Sequence, residues 1–198
     1  IWVPSAQPMS RSVVATEADG AEHVLPADAV LVATGARPRI VPGAEPDGER
    51  ILTWEQVYDL DVLPEKLIVV GSGVTGAEFA SAYNALGSEV VLVSSRDRVL
   101  PGEDADAAQV LEDVFRRRGM EVLSRSRAAS ARREGDKVVV TLADGSTVEG
   151  SHCLMAVGSL PNVEGIGLAE YGVELTEHGY VKVDRVSRTT ARGVYAAG

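Results

Sequence analysis

Cysteine is almost absent from this sequence of 198 residues, since Cys153 is the single example. One cysteine excludes an internal disulfide framework and any CxxC-type or CxxxxC-type redox pair within these residues. Cys153 lies in the apolar run 153–157, so we expect a buried packing residue. Any redox-active disulfide would have to involve cysteines outside this sequence.

Long apolar runs and basic patches are also missing. No stretch reaches the roughly 20 apolar residues that span a bilayer, and the first five residues do not resemble a signal peptide. The formal net charge of −10 disfavours nucleic acid and anionic membranes as partners. The arginines at 116–118 fall at the end of a predicted helix, where positive charge offsets the helix dipole. A cytoplasmic location is the default expectation.

Aromatic residues are few, at 5% of the chain, whereas there are 20 glycines. This balance favours an α/β protein with tight backbone turns. The length and the 45% hydrophobic content suit one large domain, or one domain with pieces of another. Ile1 is not a natural start and Gly198 follows a strand-like run, so we expect both ends to be cuts through a longer protein.

One pattern occurs twice along the chain. Its first copy, interpreted as a β-meander, consists of predicted strands at 12–16, 22–25 and 29–33 with a turn at 18–20. Its second copy consists of strands at Lys137–Leu142, 146–149 and 153–157 with a turn at 143–145. The sequence therefore predicts a repeated substructure.

Strands and helices alternate between the two copies, which predicts a parallel sheet with crossover helices. The predicted strands are Lys66–Val70, Glu89–Val93 and 120–123, and the predicted helices are Val74–Leu86 and 105–118. Gly87 and Gly119 suit left-handed helix ends, and Asp104 suits an N-cap. In the first helix we expect an apolar stripe and a face of small residues against the sheet. The stripe is Phe79, Tyr83 and Leu86, and the small residues are Ala77, Ala80 and Ser81.

The most informative segment is a G-x-G-x-x-G turn that directly follows the apolar strand Lys66–Val70 and opens a helix. Gly71 permits the tight turn, Gly73 lets the backbone approach a pyrophosphate, and Gly76 allows helix and strand to pack closely. We assign the whole turn to nucleotide binding: Gly71, Ser72, Gly73, Val74, Thr75 and Gly76. The alternative is an ordinary glycine-rich turn, but the strand before and the helix after supply the confirming context.

The next strand ends without the acidic residue that usually binds the ribose 2′-OH of NAD. Ser94, Ser95 and Arg96 stand there instead, and these side chains can donate hydrogen bonds to the 2′-phosphate of NADP. We therefore predict that NADPH is accepted, with NADH as a possible second cofactor. The alternative is that Arg96 and Arg98 are solvated loop charges.

Other polar residues carry weaker signals. Glu78 either interacts with the helix dipole in a capping-type role or faces the nicotinamide. The acids at 103–106 and 112–113 are interpreted as a helix start and a solvent-facing surface. The three histidines lack partners at ligand spacing, so we assign no metal ligand and no catalytic residue to this sequence.

Four segments together resemble the pyridine nucleotide-disulfide oxidoreductase family, in particular the dihydrolipoamide dehydrogenases and NAD(P)H:quinone reductases. The residues around Ala33, Thr34 and Gly35 resemble the ATG segment that runs beside FAD. Residues 71–78 match GxGxxGxE, 156–162 resemble A-x-G-R-x-P-N and place Gly158 at the cofactor, and 190–198 resemble the strand that precedes the flavin-binding aspartate. The resemblance covers nearly the whole chain.

The resemblance implies a Rossmann-like α/β FAD/NAD(P)-binding fold with pieces of a second, similar domain. Residues 1–36 and 163–198 would belong to an FAD-binding domain and residues 37–162 would form the NAD(P)-binding domain. FAD, NADP and NAD are the implied cofactors, with a small-molecule electron acceptor and a homodimer in the full-length protein.

Two departures from the family pattern affect the expected activity. Ser159 replaces an arginine, and Ser94 replaces the acid typical of dihydrolipoamide dehydrogenases. Ser94 disfavours a strictly NAD-linked lipoamide enzyme. Together with the sequence rich in alanine, arginine and valine, it favours a quinone-type acceptor over a disulfide substrate. A dihydrolipoamide dehydrogenase or other disulfide reductase remains an alternative, and so does a redox-inactive nucleotide-binding module.

Overall fold

The structure is a computed structural model that describes residues 11–198. The chain divides into two compact units. The inserted unit is the continuous stretch Pro38–Ser159, and the split unit consists of the chain up to Arg37 together with Leu160–Gly198.

The elements are numbered in chain order. The first strands are β1 (Arg11–Thr16), β2 (Glu22–Ala27), β3 (Val30–Val32), β4 (Ala36–Pro38) and β5 (Ile51–Leu52), and a 3₁₀ turn follows at Gln56–Asp59. The central elements are β6 (Lys66–Val70), α1 (Val74–Leu86), β7 (Glu89–Val93), α2 (Ala105–Arg117) and β8 (Glu121–Leu123). The last strands are β9 (Ala128–Glu134), β10 (Lys137–Leu142), β11 (Thr147–Gly150), β12 (His152–Met155), β13 (Ser159–Pro161) and β14 (Val194–Ala196).

A five-stranded parallel sheet forms the centre of the inserted unit, in the order β5-β12-β6-β7-β8. The chain runs outward from β6 to β7 and β8 through the crossover helices α1 and α2, and it later returns to β12 on the other side of β6. The predicted parallel sheet with crossover helices is confirmed. The strand order reverses beside β6, and such a reversal opens a crevice at the carboxyl ends of the strands.

Both faces of this sheet are buried, because successive side chains of a strand point to opposite faces. One face packs against the helices, and its core contains Leu67, Val69, Val90 and Leu92 with Ala77, Ala80 and Phe115. The other face packs against the antiparallel sheet β11-β10-β9, and its core contains Ile68, Val70, Val91 and Val93 with Ala131, Val138 and Val140. The result is a three-layer unit whose central strands are continuously apolar, as is typical of buried parallel strands.

The helix ends follow the sequence signals. Gly87 and Gly119 have the left-handed φ values of 109° and 83°, and Asp104 accepts hydrogen bonds from the N–H groups of Asp106 and Ala107. Ala77 and Ala80 are buried against the sheet, whereas Leu86 is 66% exposed, so its place in the apolar stripe was wrong. The last helical turn extends past the edge of the apolar core.

The interpretation of the first repeat as a continuous meander was also wrong. β1 and β2 form an antiparallel hairpin, but β3 pairs in parallel with β14. In the second copy, β10 and β11 pair in the same way and β12 joins the parallel sheet. The repeat itself is therefore a hairpin followed by a parallel strand, since the wholly apolar third strand is suited to a buried parallel pair. The sequence analysis did not predict β9.

Within the split unit, the β3–β14 pair supports a small apolar core that contains Leu168, Val173, Ala191 and Val194.

Among the residues described, no helix has the length and apolarity required to cross a membrane. Cys153 is fully buried in the parallel sheet, and desolvation raises the pKa of its thiol to about 12. The expected packing role of this cysteine is confirmed.

Candidate nucleotide-binding site at the carboxyl edge of the parallel sheet

The G-x-G-x-x-G turn lies directly beyond the carboxyl end of β6, where the strand order reverses. Gly71 donates a backbone hydrogen bond to the carbonyl of Val93 at 2.9 Å, which connects the turn to the end of β7. Gly73 is the N-cap residue of α1. The sequence therefore places one short turn at the crevice, with the helix N-terminus beside it.

Two of the three glycines are required by the fold itself. Gly71 has a φ of +111°, and a Cβ atom at this position would lie 2.2 Å from the carbonyl oxygen of Ala156 in the segment after β12. A Cβ atom on Gly76 would lie 1.9 Å from the carbonyl oxygen of Gly71. These distances are far below van der Waals contact, so neither position can hold a side chain without movement of the backbone.

Gly73 differs from the other two, because the fold leaves open space around it. A Cβ atom there would meet nothing within 4 Å, and its φ of −69° is accessible to any residue. The α1 N-terminus also lacks a side-chain cap, whereas Asp104 caps α2. The first N–H groups of a helix require partners, and an anion supplies both hydrogen-bond acceptors and charge for the helix dipole. The turn therefore fits a pyrophosphate.

The loop after β7 is tied to this turn by a pair of buried serines. The hydroxyls of Ser72 and Ser94 lie 2.6 Å apart. The hydroxyl oxygen of Ser94 also accepts a hydrogen bond from the backbone N–H of Arg96 at 3.1 Å. Ser94 is completely buried. Its hydroxyl is engaged in holding the loop. The polar side chains exposed directly after it are those of Ser95, Arg96 and Asp97, and of these Ser95 and Arg96 line the adjacent cavity.

A buried carboxylate fixes the far end of the same loop. Glu112 of α2 accepts a hydrogen bond from the N–H of Val99 at 3.0 Å and forms an ion pair with Arg116. The neighbouring N–H of Leu100 donates to the carbonyl of Ser72 at 2.8 Å. The expectation of a solvent-facing Glu112 was wrong, since only 5% of this residue is exposed. A single carboxylate accepting from a loop and from an arginine explains its burial.

Sequence analysis missed the segment 124–127, which follows β8 and completes the site. The N–H of Arg125 donates to the carbonyl of Arg96 and that of Ser126 to the carbonyl of Ser94, both at 2.7 Å. The signal that could have identified it is the alternating Ser-Arg-Ser-Arg sequence directly after a parallel strand adjacent to β7. Polar residues at the carboxyl ends of adjacent parallel strands share one edge of the sheet.

A cavity of about 480 Å³ lies at this edge. Its apolar lining includes Val41, Val70, Val93, Ala128, Met155 and Val157, and its polar lining consists of Ser95, Arg96, Ser126 and Arg127. Gly71 also contributes to the wall. A cavity that is mainly apolar with a few polar groups at one side is typical of a small-molecule site.

Glu78 and Gly158 occupy different positions around the site. Glu78 is exposed and lines a separate groove between α1 and α2, together with Val74. It lies beyond the first turn of α1, where the helix dipole acts weakly, so the capping-type role was wrong. Gly158 has a φ of +101° and accepts a hydrogen bond from the N–H of Arg39 beyond the end of β12.

The split unit holds the three remaining predicted residues after β3. The side chain of Asn162 donates to the carbonyl of Thr34 at 3.1 Å, and the N–H of Asn162 donates to the carbonyl of Gly35 at 3.0 Å. The carbonyl of Val32, just before Ala33, accepts from the N–H of Ala197 at 3.1 Å. Thr34 and Gly35 line a second cavity with Ala196, Ala197 and Gly198.

No cluster of potential metal ligands occurs among residues 11–198.

Together, the sheet order, the glycine turn and the uncapped helix define a dinucleotide-binding fold. The model of the family described as pyridine nucleotide-disulphide oxidoreductase matches residues 5–198, and the chain belongs to this family. The family uses FAD and NAD(P)H.

Comparison with known proteins gives more specific relatives. The chain is 61% identical over 186 residues to an NAD(P)H dehydrogenase (quinone) of Mycobacterium tuberculosis strain H37Rv, covering 94% of this chain and 38% of the relative. It is 38% identical to a dihydrolipoyl dehydrogenase of Chlorobaculum parvum, covering 96% and 41%. The crystal structure of LpdA from Mycobacterium tuberculosis superimposes with a TM-score of 0.87 at 58% identity, covering 98% and 43%.

The first two relatives are thus named as dehydrogenases. The chain spans about 40% of the length of the relatives that it matches.

Proposed function

We propose that this chain is the NAD(P)H-binding part of an FAD-dependent oxidoreductase that passes electrons to a quinone-type acceptor. When bound, the nicotinamide and the flavin would supply the hydride transfer, and the chain's own residues would bind and orient them. The inserted unit, within the range 37–162, would bind the nicotinamide nucleotide. Residues 1–36 and 163–198 would contribute to an FAD-binding domain through Ala33, Thr34 and Gly35.

The observation that carries this proposal is the contrast between the three glycines of the turn. Gly71 and Gly76 have no room for a side chain, whereas Gly73 faces open space beside an uncapped helix N-terminus. Packing does not account for a glycine at position 73, but close approach of a pyrophosphate does. Ser72, Val74 and Thr75 would complete the turn, with the phosphates on the helix N–H groups.

The cofactor selectivity that we propose depends on the loop after β7. A carboxylate at position 94 would repel a 2′-phosphate. The serine found there is neutral and buried, so it does not repel the phosphate. Ser94 would hold the loop through Ser72, while Ser95 and Arg96 would present donors to the phosphate. NADPH would therefore be accepted, and NADH would bind through the groups that both cofactors share. Gly158 and Glu78 would lie toward the ribose and nicotinamide end.

The proposed acceptor class is supported by a comparison of sequence identities to two kinds of relative. The relative with 61% identity is named for quinone reduction, whereas the dihydrolipoyl dehydrogenase of Chlorobaculum parvum has 38% identity. We extend the proposal to a homodimer of the full-length protein and a diffusible small-molecule acceptor.

The direct test is spectroscopic. We expect the purified full-length protein to be yellow from bound FAD, to bleach when NADPH is added without oxygen, and to regain its colour when a benzoquinone is added. A matched sample should receive oxidised lipoamide in place of the quinone. Recovery with lipoamide alone would contradict the quinone assignment and favour a disulfide reductase. A colourless protein that binds NADPH would instead favour a redox-inactive nucleotide-binding module.

The preference for the phosphorylated cofactor is tested by Arg96→Ala. Loss of a guanidinium that donates to a phosphate should weaken NADPH binding by about tenfold and leave NADH binding within twofold. Titration of both cofactors by isothermal calorimetry measures the ratio. The control is Arg117→Ala, which removes an exposed arginine of α2 outside the cavity lining. An unchanged ratio of affinities in Arg96→Ala would refute the role of this residue.

A further inference from the structure

We propose that Arg127 is a second phosphate-binding residue that sets the preference for NADPH, acting from a different strand than Arg96. This inference rests on the proposed function, because it concerns the same nucleotide site. Arg127 belongs to the segment after β8, which lies outside both the glycine motif and the loop at the end of β7. Cofactor selectivity would therefore depend on two loops.

The backbone connects this segment rigidly to the loop after β7. Three hydrogen bonds join them: Ser94 N–H to the carbonyl of Leu123 at 2.9 Å, and the two 2.7 Å bonds that Arg125 and Ser126 donate to Arg96 and Ser94. Arg127 also accepts from the N–H of Ala143 at 2.8 Å through its own carbonyl. Its backbone is thus held on both sides, so the sheet fixes the point at the cavity edge from which its side chain extends.

Arg127 lines the same cavity as Ser95, Arg96 and Ser126. Both arginines are exposed, and neither guanidinium has a carboxylate within ion-pair distance in the described part of the chain. No acidic residue contributes to the cavity wall. In a chain with a net charge of −10, a cavity with two cations and no acid is suited to an anion.

The other walls of the cavity indicate which anion would bind. Val41, Ala128 and Ala129 provide an apolar surface beside Arg127, and the glycine turn reaches the same cavity through Gly71. A planar base would pack on the apolar wall, and an anion attached to its ribose would meet the arginines. The chemistry that fits both walls is an adenosine carrying a 2′-phosphate.

The test uses the full-length protein and two small probes that differ by one phosphate, 2′,5′-ADP and 5′-AMP. We expect wild-type protein to bind 2′,5′-ADP more tightly, and Arg127→Ala to weaken that binding by about tenfold while 5′-AMP changes by less than twofold. Arg127→Lys retains the charge without the planar fork, so we expect an intermediate loss. Arg132→Ala, an exposed arginine on β9 outside the cavity lining, is the control and should change neither affinity.

The other outcomes separate this inference from the proposed function. If Arg127→Ala leaves the ratio of the two affinities at the wild-type value, Arg127 has no role in phosphate recognition, although the nucleotide site stands. If both probes weaken equally, Arg127 acts on the base or on the fold, and the assignment is again overturned. If wild-type protein binds neither probe, the nucleotide site itself fails.

Discussion

Gly76→Ala is expected to lower the free energy of unfolding by about 3 kcal/mol or more, although it adds one methyl group. The added Cβ would lie 1.9 Å from the carbonyl oxygen of Gly71, and the nearest carbon would be at 2.9 Å. Both atoms belong to the backbone of the turn, so no side chain can rotate away to relieve the contact. Either α1 moves away from β6 or the turn changes its conformation.

Urea denaturation of the full-length protein measures this loss, with Gly102→Ala as the control. Gly102 lies between the loop after β7 and α2, and a Cβ atom there would meet nothing within 4 Å. Its substitution should change the free energy of unfolding by less than about 1 kcal/mol. Equal stability of the two variants would show that helix and strand do not require the close approach at Gly76.

Gly73→Val is expected to produce the opposite combination: weak nucleotide binding in a protein of nearly normal stability. The extended backbone at Gly73, with φ −69° and ψ −175°, accommodates a β-branched residue, and the fold leaves space for it. The valine would occupy the position from which the pyrophosphate approaches the backbone. We expect NADPH and NADH affinities to fall by about 100-fold, because the phosphates would be displaced from the helix N-terminus.

Both quantities should be measured on the same preparations, with calorimetric titration for affinity and urea denaturation for stability. Gly102→Val is the matched control, since it adds the same side chain at a glycine outside the motif where a Cβ atom meets nothing within 4 Å. A Gly73→Val protein that binds both cofactors normally would contradict the proposed position of the pyrophosphate. Loss of affinity together with loss of folding would contradict the separate roles that we assign to Gly73 and Gly76.

The sequence predicted the centre of the inserted unit closely, because local signals and the buried pattern agreed there. The bounds of β6, α1 and β7 were predicted to the residue. An apolar five-residue strand, a glycine turn and a helix with a terminal glycine each favour one local structure, and their succession is consistent with a crossover unit. Asp104 and Gly87 marked helix ends through hydrogen bonding and backbone freedom, which are local properties.

Features that depend on distant partners were harder to predict. The pairing of β3 with β14 joins the two ends of the chain, and no local pattern reports such a partner. Burial of Glu112 depends on Val99 of the loop after β7, whereas its other partner, Arg116, lies one turn further along the same helix. The segment 124–127 becomes part of the site only when β8 takes its place beside β7. In each case the tertiary contact decides the environment, and the residue type does not.

The nested arrangement of the two units has a consequence for the order of folding during synthesis. The inserted unit has its complete parallel sheet once residue 155 has emerged, whereas β3 must wait for β14 near the end of this sequence. Bringing β3 to β14 closes a very long loop, and prior folding of the inserted unit shortens that loop because its entry and exit are joined by the Arg39–Gly158 hydrogen bond. Prior folding of the inserted unit would thus shorten the distance along the chain over which the two parts of the split unit must find each other.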